Sequence, residues 1–143
     1  MFKFGNASRK KLNTVWPSLA GVFEEALDLG LMDFTIIEGA RSKETQDEYF
    51  RTGKSKVQWP NSKHNVRGIG ELSRAVDAAP FVNGSVSWNK DHCIFLAGIV
   101  LAVAKKQGVR IRWGGNWDMD AEPITDQDFQ DLVHFEIVEG KPC

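Results

Sequence analysis

Trp88-Asn-Lys-Asp-His-Cys-Ile-Phe-Leu-Ala-Gly-Ile-Val-Leu-Ala-Val-Ala-Lys-Lys-Gln107, followed by Gly108 and Val109-Arg-Ile-Arg-Trp113, decides the fold. The run 88–107 is dense in apolar residues at helical spacing, and Gly108 supplies the left-handed stop that ends a helix. Its apolar width predicts a central, buried helix. Residues 109–113 alternate apolar side chains with Arg, which predicts a strand. A long helix feeding a short strand places a helix against a sheet.

The same pattern continues outward. Downstream, 114–125 reads as a loop and 133–138 as a final strand, opened by His134. Upstream, Asn83-Gly84 is a turn signal, and a hairpin is expected across 82–86. Residues 75–81 are apolar but interrupted by Asp77 and Pro80, so an edge or short strand is expected there. Residues 54–74 read as a loop of a length that is usually functional or disordered. Ser42 is placed to cap a helix running to about Thr52, and Gly53 to end it. Phe34-Thr-Ile-Ile37 predicts a strand. Pro17 suits the first turn of a helix whose apolar face is Leu19, Val22, Phe23, Ala26, Leu27 and Leu29, stopped by Gly30. Ser8 is a candidate cap for a short helix before it. The expected fold is α+β, with helices packed on a small, mostly antiparallel sheet, over a single domain spanning 1–143.

Bulk properties agree. A chain of 143 residues can bury roughly 68–70% of its unfolded surface without staples. Apolar residues make up 42% and charged residues 26%, with a net charge of −1. That balance argues against a nucleic-acid partner, which usually shows as a basic excess. The N-terminus has no apolar core of signal-peptide length. The longest apolar run, 94–104, falls short of the roughly 20 residues a membrane helix needs, so no stable membrane insertion is expected. The chain is expected to be made in the cytosol. Cys93 sits in an apolar run and reads as a small hydrophobe; neither it nor the terminal Cys143 has a partner at metal or redox spacing.

Charge is uneven along the chain. Residues 41–74 are rich in Arg and Lys, whereas 118–131 carry Asp118, Asp120, Glu122, Asp126, Asp128 and Asp131 without one base. Two solvated faces explain this; an acidic border for a cation or a cationic group is the sharper alternative. Asp118-x-Asp120 hints at calcium but lacks the glycine and the bidentate Glu of a proper loop.

The chemistry-bearing residues are few. His64 lies in Ser62-Lys-His64, His134 follows Asp131 by three, and His92 stands at the long helix with no ligand at metal spacing, which makes it structural. Asp77 sits in Ala75-Val-Asp77-Ala-Ala-Pro80. A carboxylate among apolar neighbours needs a strong partner: a metal ion, an Arg or a set of backbone donors.

Ser62-Lys-His64, Ala75-Val-Asp77 and Asp131-Leu-Val-His134 resemble the metal-site pattern of the D-alanyl-D-alanine carboxypeptidase and dipeptidase family, S-x-H-x-x-G-x-A-x-D and, later, [D/E]-x-x-H. The chain is more closely similar to the phage endolysins of that family that act as L-alanyl-D-glutamate peptidases. That likeness runs nearly end to end, through Phe2-Lys-Phe4-Gly, Asp33-Phe-Thr-Ile36, Gly39-Ala-Arg41, Ala79-Pro80, Asn83-Gly84, Trp88-Asn89 and Arg112-Trp113-Gly114-Gly-Asn-Trp117. One feature departs from it. The family places about six residues between the first His and the Asp; here twelve lie between His64 and Asp77, and Ser73 stands where the pattern has glycine. The extra residues are expected to loop out, since doubling a flexible loop costs only about 0.6 kcal/mol. Glu71, inside that stretch, is the alternative carboxylate.

The resemblance implies a Zn²⁺ site held by His64, Asp77 and His134, with a fourth position open for water. It implies Asp131 as the acid/base group and Arg41 as the cation facing the developing oxyanion. Gln46 is a support for Arg41 or a substrate contact, and Ser62 lies near the substrate or behind His64. Trp113 and Trp117 are candidate walls of a peptide groove, with core packing as the alternative. Glu136 shares a strand face with His134, which fits either a support for that ring or a structural salt bridge. The implied activity is hydrolysis of the L-Ala–D-Glu bond in peptidoglycan stem peptides during host-cell lysis. A D-Ala–D-Ala carboxypeptidase on the same scaffold and a non-catalytic wall-binding module are the alternatives. A monomer is expected, held in the host cytoplasm until lysis and acting on the wall thereafter.

Overall fold

The long helix begins at Asn89, whose side chain accepts from the N–H groups of Asp91 and His92, and ends at Gly108, whose φ of 75° is the left-handed cap. The computed structural model describes residues 1–68, 70–127 and 129–138. Among them the elements run α1 (Asn6–Leu12), α2 (Pro17–Asp28), β1 (Phe34–Glu38), α3 (Lys43–Arg51), β2 (Ala75–Val82), β3 (Ser85–Val86), α4 (Lys90–Gln107), β4 (Ile111–Gly114) and β5 (Asp131–Ile137). The sheet order is β1-β2-β5-β4, with β3 hairpinned onto β2, and every pairing is antiparallel. Cys143, Asp128 and Ile69 lie outside the described residues.

The apolar faces of α2 and α4 meet the inner face of the sheet in one cluster. Leu19, Val22, Phe23 and Ala26 come from α2, Leu96, Val100 and Val103 from α4, and Ile36, Val76 and Phe135 from the strands. Phe23 anchors it, with edge-on contacts to Phe34 and Phe135. Each such fully buried side chain contributes about 1.5–3 kcal/mol relative to exposure. No helix of the described residues is long and apolar enough to cross a membrane.

Several sequence expectations change. Helix α4 is not buried all round: Cys93, Leu96, Ala97 and Val100 face the core while Phe95 is 53% exposed. Ser8 does not cap α1. Gly5 precedes that helix, and Ser8 is buried within it, bonded to the Thr35 hydroxyl and to the N–H of Ile36. Strand β2 is no edge strand; it lies between β1 and β5. Pro80 is tolerated because β5 pairs only with residues 75 to 77 of β2, leaving the proline beyond that ladder. Strand β5 starts at Asp131, so His134 sits at its middle rather than opening it.

Two irregularities position the site. Along β1, Thr35 opposes Ala79 and Ile36 opposes Ala78, but Glu38, not Ile37, opposes Asp77. This bulge turns Glu38 onto the face that carries Asp77, because directly opposed residues in an antiparallel pair share a face. The second shift lies between Trp113 and Gly114 and brings Gly114 opposite Asp131. A Cβ on Gly114 would stand 2.0 Å from the Asp131 carbonyl oxygen, so only glycine lets the strands close there.

Candidate metal centre

Three ligand atoms from three segments meet at one point. The Nε2 of His64 is 3.1 Å from Oδ1 of Asp77 and 3.3 Å from Nδ1 of His134, which is itself 3.2 Å from the same Asp77 oxygen. Asp77 and His134 are brought together by register, since they are directly opposed across β2 and β5. His64 comes from the long loop. That loop is pinned to the body by Val66 N–H to the Arg41 carbonyl, Arg41 N–H to the His64 carbonyl and Arg74 N–H to the Lys63 carbonyl.

The other nitrogen of each ring is spoken for. His64 Nδ1 lies 2.8 Å from the Gly39 carbonyl, and His134 Nε2 lies 2.8 Å from Oε1 of Glu136. A ring N–H facing each of those oxygens leaves His64 Nε2 and His134 Nδ1 with their lone pairs inward. Three lone pairs at about 3 Å need a cation between them. Burial acts to lower the His134 pKa, but hydrogen bonds to Asp77 and Glu136 outweigh it and raise it to about 9. Burial likewise acts to raise Asp77, and its contacts with His64 and His134 instead hold it far below the usual carboxylate range. These residues form a buried group that can hold a metal ion.

Around this centre the supports are layered. Glu136 also accepts from Nη2 of Arg112 at 2.7 Å. Burial pushes its carboxyl up, and the bonds to His134 and Arg112 pull it below its ordinary value. The Arg112 guanidinium stands over Trp117, whose ring is tilted against His134 at 5.8 Å and stacked on Phe129. Gly39 allows its carbonyl to reach His64 because it presses on α1: a Cβ there would lie 2.5 Å from the Lys11 carbonyl.

Asp131 stands three residues from His134 with its carboxyl raised above the ordinary value, first by burial and then by the Asp77 charge, while His134, His64 and Arg41 pull the other way. Arg41 is buried and held on several sides. Its Nε and Nη2 donate to the two oxygens of Glu38 at 3.2 and 2.5 Å, and Nη1 donates to Oε1 of Gln46 at 2.8 Å. Its guanidinium carbon is 4.8 Å from the Tyr49 ring centre.

The remaining expected residues divide. Gln46 is fully buried and has no free amide group for a substrate: its oxygen accepts from Arg41 and Asn65, and its nitrogen donates to Ser55 and the Val57 carbonyl. It supports Arg41. Trp113 is a core residue, 3% exposed, with its indole N–H on the Leu132 carbonyl; Trp117 alone of the pair stands at the centre. The Ser62 hydroxyl accepts from the His64 N–H and so fixes that residue's backbone. Glu71 is exposed and accepts from the Arg67 N–H, away from the three ligand atoms. His92 bonds the Ser87 hydroxyl at the start of α4. The residue types and spacing of Glu38, Tyr49, Asn65 and Gly39 do not mark them as functional in the sequence. Only the nearness of Glu38 and Gly39 to Arg41 in the chain gives any signal of their part.

A second group, Asp118, Asp120 and Asp126, also brings three oxygens together, at the surface. Burial and these two neighbouring carboxylates raise the Asp126 carboxyl.

Residues 1–138 match the phage L-alanyl-D-glutamate peptidase family. The chain is 32% identical over 122 residues to the L-alanyl-D-glutamate peptidase of Escherichia phage T5, covering 85% of each protein. Its fold superposes on the crystal structure of the L-Ala D-Glu endopeptidase ChiX of Serratia marcescens with a TM-score of 0.74 and 30% identity, covering 95% of this chain and 90% of that one. The chain belongs to the phage L-alanyl-D-glutamate peptidase family.

Proposed function

We propose that this chain is a zinc peptidase that hydrolyses the L-Ala–D-Glu bond of peptidoglycan stem peptides, with His64, Asp77 and His134 as the metal ligands. The observation that carries the reading is the convergence of their three ligand atoms, each ring aimed by a partner behind it. Ligand atoms about 2.0–2.1 Å from a tetrahedral zinc stand about 3.3 Å from each other, and here the separations are 3.1, 3.2 and 3.3 Å. Two nitrogens and one carboxylate oxygen form a catalytic rather than a closed structural set. When bound, zinc supplies a Lewis acid and a nucleophilic water at neutral pH.

The chain's own groups do the rest. Asp131, with its affinity for protons raised by burial and by Asp77, takes a proton from the attacking water and passes it to the leaving amine. Three of the five N–H groups of Arg41 are committed to Glu38 and Gln46. The two that remain face the substrate carbonyl oxygen as it gains charge. Trp117 walls the cleft beside His134. The chain acts as a single catalytic domain and a monomer. It binds no nucleic acid, stays in the host cytoplasm until lysis, and then reaches the wall.

Metal analysis of the purified chain with mass spectrometry of digested muropeptides tests the reading. One equivalent of zinc and stem peptides released from L-Ala are expected. Release of terminal D-Ala instead, or no cleavage by the zinc-loaded chain, would overturn it.

A further inference from the structure

We infer that Glu38 is a positioning residue for the reaction: it clamps the Arg41 guanidinium in the orientation that presents its two uncommitted N–H groups to the substrate carbonyl. This inference rests on the role given to Arg41 under the proposed function. Three observations carry it.

The β1 bulge is the first. Regular pairing would set Ile37 against Asp77 and leave Glu38 on the opposite face; the shift between Ile36 and Glu38 sets Glu38 against Asp77 instead. A strand gives up ladder bonding to make such a bulge, and bulges re-aim side chains next to active sites. The bulge thus points a second carboxylate to the face of the metal ligands.

The second is what that carboxylate does there. It is not among the converging ligands. Both its oxygens go to Arg41, one on Nε and one on Nη2. Two parallel bonds fix the plane of the guanidinium as well as its place, which one bond cannot. The pair is largely shielded, with side-chain exposures of 9% for Arg41 and 20% for Glu38.

The third is that the remaining contacts complete the clamp. Gln46 holds Nη1, Tyr49 covers a guanidinium face, and Asn65 donates to the same Gln46 oxygen. Asn65 follows His64 directly, so the Arg41 clamp and the loop carrying a metal ligand share one network. Removing Glu38 leaves Arg41 charged but free to turn about Nη1. Binding of the metal, which does not use Glu38, is unaffected.

The test uses the full-length, zinc-loaded chain and a soluble disaccharide-tetrapeptide as substrate. Glu38→Ala is expected to lower kcat by about 10- to 100-fold, the scale of a misplaced oxyanion donor, with KM within about twofold. Glu38→Gln keeps one accepting oxygen and is expected to recover most of that loss while staying about two- to fivefold below the parent. Zinc content is expected to be unchanged in both. A second readout needs no substrate: hydrogen exchange at the Arg41 Nε–H, followed by nitrogen-15 NMR, is expected to be slow in the parent, intermediate in Glu38→Gln and fast in Glu38→Ala. Parental kcat in Glu38→Ala, a loss of kcat without faster Arg41 exchange, or a loss that tracks zinc content would overturn the inference. Should Glu38→Ala not fold, a Glu38→Gln variant with parental kcat and parental exchange would overturn it equally. If the parent cleaves no muropeptide, the proposed function fails, and the exchange series alone still decides whether Glu38 holds Arg41.

Discussion

Among the described residues, two groups of three side chains each bring three ligand atoms within 4.8 Å of one another, and they differ in almost everything else. His64, Asp77 and His134 are withdrawn from solvent and come from a pinned loop and two paired strands. Asp118, Asp120 and Asp126 are exposed and lie within one loop. In the first group each imidazole has an oxygen behind it, Gly39 carbonyl or Glu136 carboxylate. In the second, Asp118 accepts from the Asp120 N–H and Asp120 from the Glu122 N–H, bonds that shape a turn. Proximity of donors is therefore common to both, and pre-orientation belongs to one. The cost of holding three lone pairs together is met at the first group by the fold itself, because β2 and β5 cannot pair in register without opposing Asp77 and His134.

The comparison breaks most visibly at His134. His134→Ala removes one of three ligands and the partner of Glu136, so it is expected to abolish both zinc binding and turnover; metal analysis and muropeptide digestion read the two losses separately. Asp131→Ala comes next. It leaves all three ligands and their supports in place, so zinc content is expected to stay at the parental level while kcat falls by about 10²–10⁴-fold, the range for a lost general acid–base. Normal turnover in this variant would remove Asp131 from the mechanism.

A smaller effect sharpens the role of the supports. Glu136→Ala keeps every ligand but frees the His134 ring and leaves Arg112 without its carboxylate. Zinc affinity is expected to fall by about 10- to 100-fold, the usual scale for losing the group behind a metal-binding His. Competition with a chromophoric chelator measures it; unchanged affinity would mean that Trp117 and the β5 backbone suffice to aim the ring.

How much of this was legible before the structure differs by residue. His64, Asp77, His134 and Asp131 stand out because Ser62-Lys-His64, Ala75-Val-Asp77 and Asp131-Leu-Val-His134 resemble a known metal-site pattern; residue type alone leaves each open to a structural role. His64 and Asp77 still meet despite the six extra residues, because both sides of the loop are held by backbone bonds at 63, 66, 73 and 74. The groups behind the ligands were mostly hidden. Period-two alternation would set Glu38 on the face opposite Asp77, and nothing in Phe-Thr-Ile-Ile-Glu marks the bulge that reverses it. The Gly39 carbonyl is a backbone group with no side-chain signature. Gln46 and Trp113 carried polar or aromatic side chains suited to a substrate, yet tertiary packing consumed both. Pro80 suggested an edge strand, although β5 pairs with only the first part of β2 and leaves the proline free of that ladder. The breadth of apolar residues on α4 suggested full burial, and Phe95 instead faces out.

The smallest expected effect lies in the acidic loop and probes what distinguishes the two groups. Asp126 has its carboxyl raised by desolvation and then by Asp118 and Asp120, through hydrogen bonding and like charge. A carboxyl whose folded pKa exceeds its unfolded value binds its proton more readily when folded. Stability contributed at this site therefore declines as pH rises from the unfolded value near 3.8 through the raised folded value, and at neutral pH the three charges oppose folding. Asp126→Asn is expected to raise Tm slightly at pH 7 with zinc as the sole divalent cation, and to leave zinc content unchanged. The gain is expected to shrink in high salt, which already screens exposed charges, and to vanish toward pH 3, where the parent carboxyl is protonated. A Tm that falls instead would mean that the loop depends on the charged carboxylate, as the buried group does on Asp77, and would erase the contrast between the two.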